Sequence, residues 1–70
     1  MNKSQFLENQ QLLTADEVAE YIHVSKSTLY SYRANGIGPR YILLNNRIIR
    51  YLKSDVEEWL ATQKIKTFNE

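Results

Sequence analysis

Thr14-Ala-Asp-Glu-Val-Ala-Glu-Tyr-Ile-His-Val-Ser-Lys-Ser-Thr-Leu-Tyr-Ser-Tyr-Arg-Ala-Asn-Gly36 carries two helix starts and a helix stop in one short run. Thr14 followed by Glu17 has the spacing of a capping box, in which hydroxyl and carboxylate each accept a backbone N–H of the first turn, and Leu13 is placed to staple against Val18. Ala15, Val18, Ala19 and Ile22 recur at helical spacing and define the buried side of a first helix. Ser25 caps a second helix, in which Leu29 and Tyr32 supply the buried stripe. That helix ends at Asn35-Gly36, because glycine tolerates the left-handed backbone that closes a helix. Only His23 and Val24 lie between the first helix and the second cap. Two short helices joined this tightly, the second bearing Lys26, Ser27, Thr28, Ser31 and Arg33, describe a helix-turn-helix.

Working outward from this run, Gly36, Gly38 and Pro39 are all the glycines and the single proline of the chain, and they mark a change from helical to extended patterning. Arg40 to Tyr51 then reads as a β-hairpin, with β-branched and aromatic residues flanking Asn45-Asn46, and asparagine accepts the positive φ angles of a two-residue type I′ turn. That turn pairs Leu44 with Arg47, Leu43 with Ile48, Ile42 with Ile49 and Tyr41 with Arg50. Ile42, Leu44, Ile49 and Tyr51 are then expected to face the core, and Arg47 sits at the tip. A third helix is expected from Ser54, in a capping box with Glu57, with Val56, Trp59 and Leu60 as its apolar edge. Helix, turn, helix, hairpin, helix is a mainly α winged helix-turn-helix in outline. The expected domain spans residues 12–63, between tails at 1–11 and 64–70.

Charge is segregated along this scheme. The chain's net charge is +1, yet residues 21–54 carry Lys26, Arg33, Arg40, Arg47, Arg50 and Lys53 and no acid, flanked by segments of −3 and −2. A merely solvated surface mixes both signs, so the segregation marks a polyanion-binding face. Seventy residues make one small core. Without cysteine and with His23 as the lone histidine, neither a disulfide framework nor a zinc site can be assembled, and no cofactor is expected. No apolar run resembles a signal peptide or a membrane span, so a soluble, cytoplasmic protein is expected, with no membrane partner.

Three separated blocks of this sequence carry a family resemblance. Leu12 to Tyr30, then Gly38-Pro-Arg-Tyr-Ile42, then Arg50-Tyr-Leu-Lys-Ser-Asp-Val-Glu-Glu-Trp-Leu60 resemble, in that order, the excisionase-type DNA-binding proteins of the MerR-like winged-helix group. The resemblance implies a second helix in the major groove and a hairpin wing in an adjacent minor groove. It also implies a bacterial mobile element as the source, and a protein that is nucleoid-associated when bound. His23 departs from the glycine more usual in that turn, although histidine is enriched in the left-handed region. Apolar Leu43 departs from the polar or basic residue expected in a wing.

The residues themselves suggest how such an interface is shared out. Lys26, Ser27 and Thr28 lie where helix N-terminal N–H groups also favour phosphate, and Ser31, one turn on, is the leading base reader. Tyr30 lies off the apolar stripe and can offer its hydroxyl to phosphate. Arg47 suits a narrow, electronegative minor groove. Arg33, Arg40, Arg50 and Lys53 suit backbone contacts that add affinity without sequence information. Against these stand plainer roles: Tyr32, and with it Tyr30, as core residues, Trp59 as core packing, and the acids as helix caps and N-terminal charges.

Together these features point to a non-enzymatic, sequence-specific binder of double-stranded DNA acting as an excisionase, or recombination directionality factor. An integrase or recombinase would be its partner, and copies would associate cooperatively on DNA through Leu43 and Ile48 or through Ile65 and Phe68. A small phage or plasmid transcriptional regulator would use the same domain, and a protein-interaction module docking an acidic partner is the alternative of another class. RNA binding is disfavoured, for lack of an exposed aromatic platform. An enzyme is disfavoured because one histidine and capping acids do not make a nucleophile, base and orienting group.

Overall fold

The computed structural model describes residues 11–63, in the order β1 (Leu12–Leu13), α1 (Ala15–Ile22), α2 (Lys26–Asn35), β2 (Ile42–Leu44), β3 (Ile48–Leu52) and α3 (Lys53–Thr62). Apart from Gln11, the expected tails at 1–11 and 64–70 lie outside the described residues, as do Ile65 and Phe68.

The helix starts of the decisive run form locally. The Thr14 N–H donates to Glu17 Oε1 at 2.8 Å and the Glu17 N–H to Thr14 Oγ1 at 3.1 Å, closing the capping box. Thr14→Ala is expected to cost about 1 kcal/mol and to lower Tm by roughly 5 °C in a thermal melt; an unchanged Tm would mean that the box adds nothing to stability. The Thr28 N–H donates to Ser25 Oγ at 3.1 Å, capping α2.

Both helices also stop alike. His23 (φ 63°) and Gly36 (φ 68°) adopt the left-handed conformation. The next residue's N–H then folds back five positions, Val24 to the Ala19 carbonyl at 2.9 Å and Ile37 to that of Tyr32 at 3.0 Å. His23 thus makes the turn that the sequence assigns to it.

Two expectations are corrected in the second half. The hairpin pairs Ile42 with Arg50, Leu43 with Ile49 and Leu44 with Ile48, one residue out of the expected register. Asn45 and Asn46 do take left-handed φ angles of 53° and 59°, and the Arg47 N–H closes their turn on the Leu44 carbonyl at 2.9 Å. Arg47, however, stays in the loop as an extra residue instead of pairing with Leu44. A one-residue slip exchanges the faces of one strand relative to the other. Ile42 and Leu44 therefore join Ile48 and Arg50 on the face away from Tyr51, and Leu44 is 40% exposed instead of core. The slip lets Tyr41 lie beside Tyr51, ring centroids 6.2 Å apart, a contact that the tighter hairpin would have turned outward.

The second correction concerns α3, which begins at Lys53 with Leu52 as its N-cap, without the expected Ser54–Glu57 box. The cause is a strand that the sequence patterning did not indicate. β1 pairs antiparallel with β3, Leu12 with Leu52 and Leu13 with Tyr51, giving a three-stranded sheet in the order β1-β3-β2. The ladder runs straight into the helix, where the Lys53 N–H donates to the Gln11 carbonyl at 2.8 Å, and Glu57 accepts the Tyr21 hydroxyl at 3.0 Å instead.

Leu13, Val18, Ala19, Leu29, Tyr51 and Val56 form the core, with Ala15, Ile22, Val24, Tyr32 and Ile49 packed around it. Trp59 is half-buried against Tyr32 and its Nε1–H donates to the Ile37 carbonyl at 3.0 Å, pinning the segment after α2 to α3. A Cβ at Gly38 would fall 2.9 Å from Tyr32 Cβ, so this close approach requires glycine. Leu60, expected on the apolar edge, is exposed. Three helices, the tight α1–α2 turn and the small antiparallel sheet make a winged helix-turn-helix, with β2–β3 as its wing.

Candidate nucleic-acid interface

The outward side of α2 is polar because its apolar residues are spent inward: Leu29 is buried and Tyr32 half-buried. Ser27, Ser31 and Asn35 follow at four-residue spacing and are all exposed. The Asn35 Nδ2 group reaches Ser31 Oγ at 3.4 Å. Asn35, which in the sequence marks the helix stop, also shares this face through its four-residue spacing from Ser31. Asparagine is well suited to reading adenine in the major groove. Thr28 is half-buried and its hydroxyl accepts from Ser25 at 2.9 Å, which ties it to the cap more than to a ligand. Ser27 Oγ lies 3.2 Å from Ser25 Oγ.

Beside this helix runs an open cleft of about 480 Å³ between α1, α2 and the hairpin, lined in part by Asp16, Tyr30, Arg33, Arg47 and Arg50. Three of the six cations of the acid-free stretch, on three different elements of the chain, thus meet in one place. Tyr30 is 53% exposed, so it is a surface residue, whereas Tyr32 packs on the core. The Arg33 guanidinium lies 4.7 Å from the Tyr30 ring centroid and 5.9 Å from that of Tyr41. Arg50 folds along its own strand, its Nη1 donating to the Ile49 carbonyl at 2.7 Å.

Residues 12–64 match the helix-turn-helix domain family. The chain belongs to that family. No curated protein matches it. The helix-turn-helix is a DNA-binding architecture, so DNA is the partner.

The remaining cations of this helix-turn-helix domain are placed less uniformly than their sequence run suggests. Lys26, at the start of α2, lies 3.6 Å from Asp16 with both side chains well exposed, a pair worth little that leaves the ammonium accessible. Arg40 lies in a neighbouring hollow with Arg33, Gly36 and Tyr41, and also borders Asp55 and Glu58. Lys53 stands apart, its ammonium 5.6 Å from the Tyr21 ring centroid in a groove with Glu17 and Glu20. The Tyr21 phenol is held above its usual range, chiefly because its hydroxyl donates to the Glu57 carboxylate. Lys53 therefore belongs to an acid-rich side of the domain. Among the described residues no helix is long and apolar enough to cross a membrane, and no group of three His, Asp or Glu could hold a metal ion.

Proposed function

We propose that this protein binds a specific duplex DNA sequence without catalysis, with α2 in the major groove and the β2–β3 wing in the adjoining minor groove, as an excisionase-type recombination directionality factor. The observation that carries this is the cleft between α2 and the wing, because it brings Arg33, Arg47 and Arg50 together beside a helix whose own exposed polar row is Ser27, Ser31 and Asn35. Ser27, Ser31 and Asn35 read base edges; Lys26 and Tyr30 border the phosphates, while the Thr28 hydroxyl stays with the Ser25 cap; and Arg47, in the three-residue loop at the wing tip, enters the minor groove. Arg40 and Arg50 contribute backbone affinity. Lys53, assigned the same task on its charge alone, lies among acids and contributes least.

A non-catalytic role is supported by the engagement of the carboxylates elsewhere: Glu17 in its capping box, Asp16 with Lys26 and Glu57 with the Tyr21 hydroxyl. The excisionase role rests on the three resembling sequence blocks, and a recombinase is the partner it requires. Leu43 is 48% exposed on the wing and is the expected contact between neighbouring copies. Ile48 lies on the opposite face of the sheet in the observed register, so the two cannot form one patch. A small transcriptional regulator would share the interface, and DNA bending with restored excision by a cognate integrase distinguishes the two.

The test is selection of bound sequences from random duplex DNA. Ser31→Ala is expected to alter the preferred bases at one position, whereas Arg50→Ala lowers affinity about equally on all sequences, each by roughly 1 to 3 kcal/mol. Equal, sequence-independent weakening by both variants would refute the division into readers and anchors.

A further inference from the structure

We propose that the Arg33 guanidinium, lying over the Tyr30 ring and near that of Tyr41, is a preorganised seat for one backbone phosphate of the bound duplex, at the junction between the groove taken by α2 and the groove taken by the wing. This rests on the DNA-binding function above and extends it by naming the ligand group and the residues that position its receptor.

Arg33 differs from the other basic residues in being held. Its side chain is half-buried, its guanidinium lies over one aromatic ring and near a second, and its Nη1 is buried with no hydrogen-bond acceptor among the described residues. An arginine kept only for solubility would leave its nitrogens in water. A buried charged donor without an acceptor is costly, and the ring faces compensate only in part. A small rotation of the guanidinium toward the cleft brings that donor to an incoming phosphate oxygen, whose charge-assisted hydrogen bond offsets the cost. The surroundings favour such an anion: Arg47 and Arg50 line the same cleft. Asp16 also lines it, and Lys26, 3.6 Å away, counters its charge. Tyr41 is a positioning residue, for it stands between Arg33 and the buried Tyr51 ring and so anchors the seat to the core. Arg33 leaves from α2 whereas Tyr41 leads into the wing, which places the seat where one DNA strand passes from one groove to the next.

Neutralising phosphates one at a time tests this. On a duplex of the selected sequence, each phosphate in turn is replaced by an uncharged methylphosphonate. The wild-type protein is expected to lose about tenfold in affinity at one position facing the junction. Arg33→Met should bind that modified duplex and the unmodified one equally well, while still losing affinity at the other contacted phosphates. Arg33→Lys should not restore the position, because an ammonium lacks the planar fork that the two rings align. Tyr41→Leu should weaken the same position selectively. If Arg33→Met keeps the wild-type loss at every position, Arg33 seats no phosphate. A lowered Tm with unchanged binding would likewise overturn the proposal and leave the stack as helix-to-wing packing alone. Failure of the wild-type protein to bind any duplex would instead refute the DNA-binding function itself.

Discussion

Between about 50 and 200 mM monovalent salt, affinity for duplex DNA is expected to fall several hundredfold. Each phosphate neutralised by a cation releases condensed counterion, and the logarithm of affinity declines by about 0.9 per contact against the logarithm of salt. Lys26, Arg33, Arg40, Arg47 and Arg50 lie on or beside α2 and the wing, whereas Lys53 lies over the Tyr21 ring in a groove with Glu17 and Glu20. Five contacts correspond to a slope of about −4.5. Titration at several salt concentrations should give that value for the wild type, about one unit less for Arg47→Gln, and no change for Lys53→Gln. A slope near zero would exclude a DNA interface, and a reduced slope for Lys53→Gln would place the sixth cation back in it.

Tyr51→Ala is expected to leave most of the domain unfolded at 25 °C. Tyr51 is 1% exposed, sits on the central strand opposite Leu13, and carries the Tyr41 ring at its side. Truncating a buried aromatic residue costs about 3 to 5 kcal/mol, and a single core in a chain of this size rarely supplies more than roughly that much. Far-UV circular dichroism with a thermal melt reads the outcome; a cooperative transition retained within about 5 °C of wild type would show that the core does not depend on this ring. Tyr30→Ala, at an exposed position on α2, should change stability by only about 0.5 kcal/mol, a contrast that composition alone cannot supply.

The tyrosines show where sequence patterning stops being sufficient. Tyr30 and Tyr32 were separable by helical spacing, since only Tyr32 falls on the Leu29 side. Tyr51 is buried, as its alternation with Ile49 indicates, but its contact with the exposed Tyr41 ring depends on the hairpin register. Asn45 and Asn46 do take the backbone angles expected of them, yet turn chemistry alone does not decide whether Arg47 pairs or bulges. Burial of Tyr51 and its contact with Tyr41 decide it, and both draw on residues from across the chain. The Ser54–Glu57 spacing misled for a related reason, since the helix begins at Lys53, whose N–H is met by the Gln11 carbonyl from the far end of the domain, and the Glu57 carboxylate is taken by the Tyr21 hydroxyl.

By itself the sequence determined the caps, the left-handed stops and the inward stripes of α1 and α2, and with them the helix-turn-helix. Each of these is settled within one turn of helix, where a side chain and a backbone N–H a few residues apart satisfy each other. Tertiary structure alone decided the β1–β3 pairing, the wing register, and which cations share a surface. Six basic residues in an acid-free run became three arginines in one cleft, two more cations beside it and a lysine among acids. Charge order along a chain is one-dimensional, whereas the potential that DNA meets depends on which elements burial of the core brings side by side.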